Sequence, residues 1–153
     1  MPAERRRRSA RKGSPQGAPA ASLWPDLAGV HAFLIEDNED TRTLIEETLQ
    51  HCGAVVSVYS SADAAMADLP EFLPSIFISD LAMPGLDGLQ FMRRMRQLSY
   101  ERGGHVPAIA ITAYYEDFAA AEALEAGFSA YMIKPIRLED LARLVKDLTS
   151  RTL

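Results

Sequence analysis

Five side chains that could carry metal or phosphoryl chemistry lie at the ends of short apolar segments in this chain. Glu36 and Asp37 follow the first such segment, Asp80 follows the third, Thr112 closes the fourth, and Lys134 follows the fifth. If these segments are parallel strands of one open α/β sheet, their carboxyl ends share the edge at which such sheets bind ligands. Three acids at one edge need a cation, and oxygen ligands favour Mg²⁺ or Mn²⁺ over Zn²⁺. Asp80 is then a candidate acceptor for a phosphoryl group.

Each of these residues, taken alone, has a simpler interpretation. An aspartate at a strand end is more often a helix cap, and adjacent acids before a helix usually complement its N-terminus. A threonine in a strand is an ordinary β-former, and a Lys-Pro pair is common in loops. Chemistry is indicated only because the residues occur together, in order, at successive strand ends.

Strand-length apolar segments alternate with helical patterns along most of the chain. The predicted strands span 30–35, 55–59, 76–79, 108–112 and 130–133. The third helix is predicted to begin after Asp87 and to include Leu98, and the last two helices to span 116–126 and 138–148. This order predicts a (βα)5 fold, a flavodoxin-like, doubly wound, five-stranded parallel sheet with helices on both faces. The strands are short and apolar, as expected for strands that are covered on both faces.

The composition indicates a globular protein. Hydrophobic residues make up 48% of the 153 residues and charged residues 24%, which is typical of such proteins. No segment approaches the roughly 18 apolar residues that a membrane span requires. The single cysteine, Cys52, excludes an intramolecular disulfide and fits a cytoplasmic protein.

The start of the chain differs in charge from the remainder. Residues 1–12 hold six basic side chains and one acidic one, whereas the rest holds ten basic and twenty acidic. We therefore predict a disordered basic, Pro/Ala/Gly-rich tail or linker at 1–26, a globular domain at 27–150 and a C-terminal tail at 151–153. The arginines at 5–8 could contact nucleic acid or anionic lipid, although a solvated tail or linker is the simpler interpretation.

Several motifs together resemble the receiver domain of response regulators, the phosphoacceptor module of two-component signalling. The similarity covers about residues 29–150. The matching motifs lie at 33–38, 79–88, 111–113, 125–128 and 131–135.

The resemblance implies a metal-assisted acceptor site. Asp80 would accept the phosphoryl group from a partner histidine. Asp37 and Asp80 would ligate Mg²⁺ directly, together with the backbone carbonyl of Ala82. Glu36 would act mainly through a water on the metal; many members of the family have aspartate at this position.

The resemblance also implies roles for the groups around the phosphoryl oxygens. Lys134 would hold one of these oxygens, and its bond to Pro135 would be cis. The Thr112 hydroxyl and the Ala113 backbone N–H would neutralise further charge, and the small Ala113 side chain would leave room for the donor imidazole.

Two further pairs of residues would control the signal. Thr112 and Tyr131 would form the switch, because the hydroxyl moves toward the phosphoryl group and the ring rotates into the vacated space. This change would remodel the surface of the fourth helix, fifth strand and fifth helix. Ala82 and Tyr114 would flank the path of attacking water, and we expect the bulky Tyr114 to slow dephosphorylation.

The resemblance implies a switch rather than an enzyme, with a sensor histidine kinase or a histidine phosphotransfer protein as its donor. A downstream protein target and a phosphorylation-linked homodimer are expected, whereas direct DNA binding by the receiver and a membrane span are not. No output domain is expected in the remaining residues, so the chain would be a stand-alone regulator or the receiver of a hybrid kinase.

Three alternative functions share this architecture. A nucleotide-binding or flavodoxin-like enzyme is disfavoured, because acids stand at the first strand–helix junction where a phosphate ligand would need glycines. A haloacid-dehalogenase-type phosphatase would need a second aspartate shortly after Asp80, which is lacking here. A degenerate receiver that binds proteins without being phosphorylated remains the main alternative.

Overall fold

The computed structural model describes residues 24–69, 71, 73–83, 85–113 and 117–151, with only the backbone described for 117–119. Its strands are β1 (His31–Ile35), β2 (Val55–Tyr59), β3 (Ile76–Asp80), β4 (Ala108–Thr112) and β5 (Ala130–Ile133). Its helices are α1 (Glu39–His51), α2 (Ala62–Asp68), α3 (Gly88–Arg96), a 3-10 turn (Tyr100–Arg102), α4 (Asp117–Ala126) and α5 (Leu138–Ser150).

The five strands form one parallel sheet in the order β2-β1-β3-β4-β5. This order reverses direction next to β1, which is the topology of flavodoxin-like doubly wound folds. The predicted fold class is therefore confirmed. The reversal places the ends of β1 and β3 side by side, so the acids that follow these strands become neighbours.

Local side-chain chemistry explains where several helices begin. Asn38 accepts a hydrogen bond from the backbone N–H of Thr41 and starts α1 directly after the acidic pair. Asp87 and Gln90 form a reciprocal capping box at the start of α3. The prediction that α3 includes Leu98 is wrong, because α3 ends at Arg96.

The core consists of two apolar layers, one on each face of the sheet. Leu34 and Ile78 pack with α1 and α5 on one face. Phe33 and Phe77 pack with α2, α3 and α4 on the other face. Side chains of successive strand residues point to opposite faces, and this alternation fills both layers. The predicted placement of helices on both faces is confirmed.

The expectation that all strands are covered on both faces is wrong for the two strands at the sheet edges. Every residue of β3 and β4 is buried, whereas all residues of β2 and β5 are exposed or half-buried. Val55 in β2 is 64% exposed and Tyr131 in β5 is 37% exposed. An edge strand has one neighbour in the sheet, and the helices that flank the sheet leave part of each edge strand accessible.

The segment before β1 already contacts the domain. The Trp24 ring lies edge-on to that of His51, with ring centroids 6.0 Å apart. The Asp26 carbonyl accepts a hydrogen bond of 2.9 Å from Lys146 Nζ. These contacts begin before residue 27, where composition predicts the domain boundary. Among the described residues, no helix has the length and apolarity of a membrane span.

Candidate functional site

Three carboxylates converge at the carboxyl edge of the sheet. Asp80 is the last residue of β3, the central strand, and Glu36 follows β1 next to it. Oxygens of Glu36, Asp37 and Asp80 all lie within 4.8 Å of one another. Glu36 is fully buried and Asp80 is 5% exposed, whereas Asp37 is exposed to solvent. The expected acidic cluster is thus present, with a solvent-facing side at Asp37.

Lys134 lies between the two buried acids. Its ammonium Nζ is 2.9 Å from Glu36 Oε1 and 3.2 Å from Asp80 Oδ2. The backbone N–H of Lys134 donates to the Thr112 carbonyl at 2.7 Å, which fixes the residue after β5 against the end of β4. The Lys134–Pro135 peptide bond is cis.

Backbone groups hold both buried carboxylates. Glu36 Oε2 accepts a hydrogen bond from the Asn38 N–H at 3.1 Å, and Asp80 Oδ1 accepts one from the Ala82 N–H at 3.1 Å. Glu36 Oε1 has no donor in hydrogen-bonding geometry, although the Lys134 ammonium is close to it. One buried carboxylate oxygen therefore lacks a regular hydrogen bond in the protein.

Burial and charge act on the protonation of this cluster. Burial raises the pKa of the Glu36 carboxyl above its usual value, and the nearby Lys134 ammonium and the Asn38 N–H offset only part of that rise. Burial alone would lower the pKa of Lys134, but Glu36 and Asp80 together raise it. The ammonium therefore stays charged and partly neutralises the acids.

The donor set fits a divalent cation that prefers oxygen. Glu36, Asp37 and Asp80 offer carboxylate oxygens only, and Glu36 Oε1 lacks a regular hydrogen-bond donor. Such ligands suit Mg²⁺ or Mn²⁺. The solvent-facing Asp37 provides the side from which a hydrated ion can enter.

The remaining residues expected at the site lie in β4 and β5 or in the turns that follow the strands, apart from one outside the described residues. Thr112 is fully buried at the end of β4, and Ala113 follows it at an exposed position. Ala82 is exposed in the turn after Asp80, and Tyr131 lies within β5, with part of its ring in solvent. Tyr114 lies outside the described residues.

Sequence reasoning missed Arg42. Its guanidinium, one turn into α1, donates a hydrogen bond of 2.8 Å to the Glu36 carbonyl and so braces the turn that carries the acids. An arginine in the first turns of the helix after the acidic pair is the signal that could have indicated this contact.

A groove adjoins the site on the side of Lys134. It has a volume of about 420 Å³ and is bordered by the start of α1 and the segment after β5. Leu44, on the rim of this groove, is 53% exposed. The groove's lining residues are Thr41, Leu44, Ile45, Lys134, Pro135, Ile136 and Leu138.

Residues 32–146, which make up more than half of the chain, match the family model described as the response regulator receiver domain. The chain belongs to this family. It is a receiver domain of two-component signalling, and receiver domains act as signalling switches that interact with histidine kinases and phosphotransfer proteins. Members of the family generally bind Mg²⁺ at an acidic pocket, and Glu36, Asp37 and Asp80 form an acidic cluster in this chain.

Curated relatives support this assignment. An uncharacterized 14.6 kDa protein of Leptolyngbya boryana is 38% identical over 120 residues, covering 78% of this chain and 90% of that protein. The transport regulator DctD of Rhizobium meliloti is 33% identical over 116 residues, covering 76% of this chain. The chain spans only 24% of DctD and 35% of the phosphodiesterase response regulator RpfG of Xanthomonas campestris.

Solved structures have the same fold. A putative response regulator from Chloroflexus aurantiacus is 26% identical with a TM-score of 0.75, covering 80% of this chain and 98% of that one. The receiver domain of the sensor histidine kinase PA1611 of Pseudomonas aeruginosa is 29% identical with a TM-score of 0.72, covering 80% and 99% respectively. The PA1611 structure holds a magnesium ion in its active-site cleft.

Proposed function

We propose that Asp80 accepts a phosphoryl group from a phosphohistidine of a sensor kinase or phosphotransfer protein. The observation that carries this proposal is the position of Asp80, a buried carboxylate flanked by two more acids and by the Lys134 ammonium at 3.2 Å. A bond forms between an Asp80 oxygen and phosphorus as the bond from phosphorus to the histidine nitrogen breaks. The other ring nitrogen of the phosphohistidine carries a proton, so the imidazole leaves as a neutral group that keeps the electron pair of the broken bond.

The chain's own residues orient the reacting groups. The Ala82 N–H holds Asp80 Oδ1, which restricts rotation of the carboxylate. Lys134, the Thr112 hydroxyl and the Ala113 N–H lie at the same edge of the sheet and would neutralise charge on the phosphoryl oxygens. Asp37, Asp80 and the Ala82 carbonyl would hold Mg²⁺, with Glu36 acting through water, and the ion would supply further charge neutralisation.

A small phosphodonor tests this proposal directly. We expect acetyl phosphate with Mg²⁺ to add one phosphoryl group to the protein, visible by intact mass. No adduct should form when EDTA is present during the reaction. Asp80→Asn should abolish the adduct. Asp87→Asn is the matched control, because Asp87 lies in the same turn but caps α3. An Asp80→Asn protein that is still phosphorylated would disprove the assignment of the acceptor. A wild type with no adduct would favour the degenerate receiver that binds proteins without phosphorylation.

The groove beside Lys134 supports docking of the donor protein. It is continuous with the site, since Lys134 lines both, and its apolar rim at Leu44 suits a helix that presents the donor histidine. Leu44→Glu should slow phosphoryl transfer from the cognate donor and leave transfer from acetyl phosphate unchanged. Equal slowing with both donors would show that the groove does not bind the partner.

Thr112 and Tyr131 are proposed as the switch that reports phosphorylation. Thr112 is buried in the strand next to β3, and Tyr131 lies in the following strand at a partly exposed position. The face formed by α4, β5 and α5 would then bind a downstream protein or a second copy of the chain. Leu124, Tyr131 and Ile133 supply exposed apolar surface there. Size-exclusion chromatography with and without acetyl phosphate would detect a phosphorylation-linked dimer.

The domain is proposed to act as a cytoplasmic switch that catalyses only its own phosphorylation and dephosphorylation. Tyr114 would screen the path of attacking water and lengthen the signal. A shorter phosphoryl half-life in Tyr114→Ala than in wild type would support this role. An unchanged half-life would exclude it.

A further inference from the structure

Asp37 is the exposed member of the acidic cluster. One of its carboxylate oxygens lies within 4.8 Å of oxygens of Glu36 and Asp80, which are both buried. Close packing fixes the position of a buried side chain, but it does not fix that of an exposed one. The direction of the Asp37 side chain therefore depends on the backbone that carries it.

Arg42, in the first turns of α1, holds the backbone on both sides of Asp37. Its guanidinium Nη1 donates to the Glu36 carbonyl at 2.8 Å, and its backbone N–H donates to the Asn38 carbonyl at 2.9 Å. The Glu36 carbonyl belongs to the peptide unit that joins Glu36 to Asp37, and a peptide unit is planar. The guanidinium therefore restricts rotation of the plane that leads directly into the Asp37 Cα.

The other hydrogen bonds of this turn hold it at different atoms. The Glu36 N–H donates to the Tyr59 carbonyl at 3.0 Å, which joins the turn to the end of β2. The Asn38 N–H donates to Glu36 Oε2 at 3.1 Å, and Asn38 Oδ1 accepts the Thr41 N–H at 2.9 Å. These bonds fix the Glu36 side chain and the start of α1, whereas the guanidinium acts on the carbonyl just before Asp37.

The positive charge of Arg42 would by itself oppose a cation at this site. Like charges repel, so removal of the charge alone would tighten metal binding. Loss of the bond to the Glu36 carbonyl would have the opposite effect, because ligands that are not held in place bind a metal more weakly. The two effects differ in sign, so a measured affinity can tell them apart.

We propose that Arg42 is a positioning residue that orients Asp37 as a ligand of the divalent cation. Arg42 acts through the peptide unit between Glu36 and Asp37, and it contacts neither the ion nor the phosphoryl group. This inference rests on the proposed function, since it takes the acidic cluster to be the metal site. It adds a residue of α1 to the groups that determine how tightly the ion is bound.

The affinity of the full chain for Mn²⁺, read from the electron paramagnetic resonance signal of the free ion, tests the sign of the effect. Arg42→Met should weaken Mn²⁺ binding about tenfold. Arg94→Met is the matched control, because Arg94 is an exposed arginine of α3 and its loss removes the same charge. Tighter or unchanged binding in Arg42→Met would overturn the proposal.

The magnesium dependence of phosphorylation separates positioning of the metal ligand from a general loss of structure. With acetyl phosphate as donor, Arg42→Met should need about tenfold more Mg²⁺ than wild type to reach its half-maximal rate. At saturating Mg²⁺ its rate should return to that of wild type, because the bound ion then holds Asp37 in place. A lower rate that persists at saturating Mg²⁺ would contradict a role limited to positioning Asp37.

The wild-type protein provides a test that does not depend on whether a variant folds. Arginine side chains are labelled with ¹⁵N and ¹³C, and the guanidinium signals are assigned by through-bond correlation with the backbone. A hydrogen bond from Nη1 slows rotation about the Nε–Cζ bond, so we expect separate Nη signals for Arg42 and a single averaged signal for the exposed Arg94. Averaged Nη signals for Arg42 would show that its guanidinium does not hold the Glu36 carbonyl.

These measurements distinguish failure of this inference from failure of the proposed function. If wild type binds Mn²⁺ and is phosphorylated, but Arg42→Met binds Mn²⁺ equally well, only the positioning role of Arg42 fails. If wild type binds no Mn²⁺ and accepts no phosphoryl group, the proposed function itself fails.

Discussion

Two strands of this sheet deliver the two central groups of the site, and they differ in burial. β3 lies between β1 and β4, and all five of its residues are buried, up to and including Asp80. β5 lies at the edge of the sheet with alternating half-buried and exposed residues, and Lys134 follows it. The proposed acceptor carboxylate thus extends from a strand in the core, whereas the Lys134 ammonium reaches it from the edge of the sheet.

This difference suits the chemistry that we propose for each group. The in-line transfer of a phosphoryl group needs an acceptor whose position varies little. A lysine that neutralises an arriving phosphoryl oxygen has to be reachable from solvent, and the Lys134 side chain is 23% exposed. The exposed residues of β5 are also accessible to partner proteins, whereas the residues of β3 are buried.

The largest difference between the two strands should appear in stability. Phe77→Ala in β3 should lower the free energy of unfolding by about 3–5 kcal/mol. The Phe77 ring is fully buried and packs edge-on against Phe33 and Phe91, with centroids 6.0 and 5.3 Å away. Tyr131→Ala in β5 should cost under about 1 kcal/mol. Equal losses of unfolding free energy, measured by urea denaturation, would contradict the difference in burial between β3 and β5.

A smaller effect should come from Arg96, which connects the segments that lead into β4 and β5. Its half-buried guanidinium donates to the Val106 carbonyl at 2.7 Å and to the Gly127 carbonyl at 2.9 Å. Arg96→Met would leave both carbonyls without this donor and should cost about 1–3 kcal/mol. The exposed Arg93 on the same helix gives the matched control, Arg93→Met. Hydrogen exchange should rise more in β5 than in β3; a uniform rise would show that Arg96 does not specifically hold the edge strand.

The pH dependence of stability should reveal the buried acid next to β3. Because burial raises the pKa of Glu36 in the folded state, the folded protein binds a proton at this site more readily than the unfolded chain does. As the pH falls through the raised pKa, the metal-free wild type should gain stability relative to Glu36→Gln, and this gain is lost as the pH rises through the same pKa. Urea unfolding at several pH values measures the difference between the two proteins. A difference that does not vary with pH would rule out this contribution.

The smallest effect should appear at β2, the other edge strand. The Tyr59 hydroxyl donates to Asp68 Oδ2 at 2.8 Å, and burial together with Asp68 raises the pKa of Tyr59 to about 12. Tyr59→Phe should cost about 1 kcal/mol at neutral pH. Since the folded pKa is raised, this contribution should be lost as the pH rises through about 12. Ultraviolet titration of wild type against Tyr59→Phe locates this ionisation, and a Tyr59 that ionises near pH 10 would contradict the contact.

The order of strands and helices could be predicted from the sequence because apolar periodicity is a local property. Strand ends at Asp80 and Lys134 follow from short apolar runs that stop at a charged residue. The exposure of β2 and β5 could not be predicted in the same way. Val55 and Tyr131 are as apolar as residues of central strands, and only the order of strands in the sheet makes their strands edges.

The sequence by itself determined the family, the acidic cluster with its lysine, and the architecture that brings them to one edge. The family follows from the resemblance of several motifs to the receiver domain. Residue types at successive strand ends are sufficient to predict the cluster, because parallel strands share their carboxyl edge. The tertiary structure alone decided that Lys134 lies closer to Glu36 than to Asp80, that Arg42 braces the acidic turn, and that Arg96 joins two segments. Such contacts depend on ångström-scale distances between side chains, and residue order does not specify those distances.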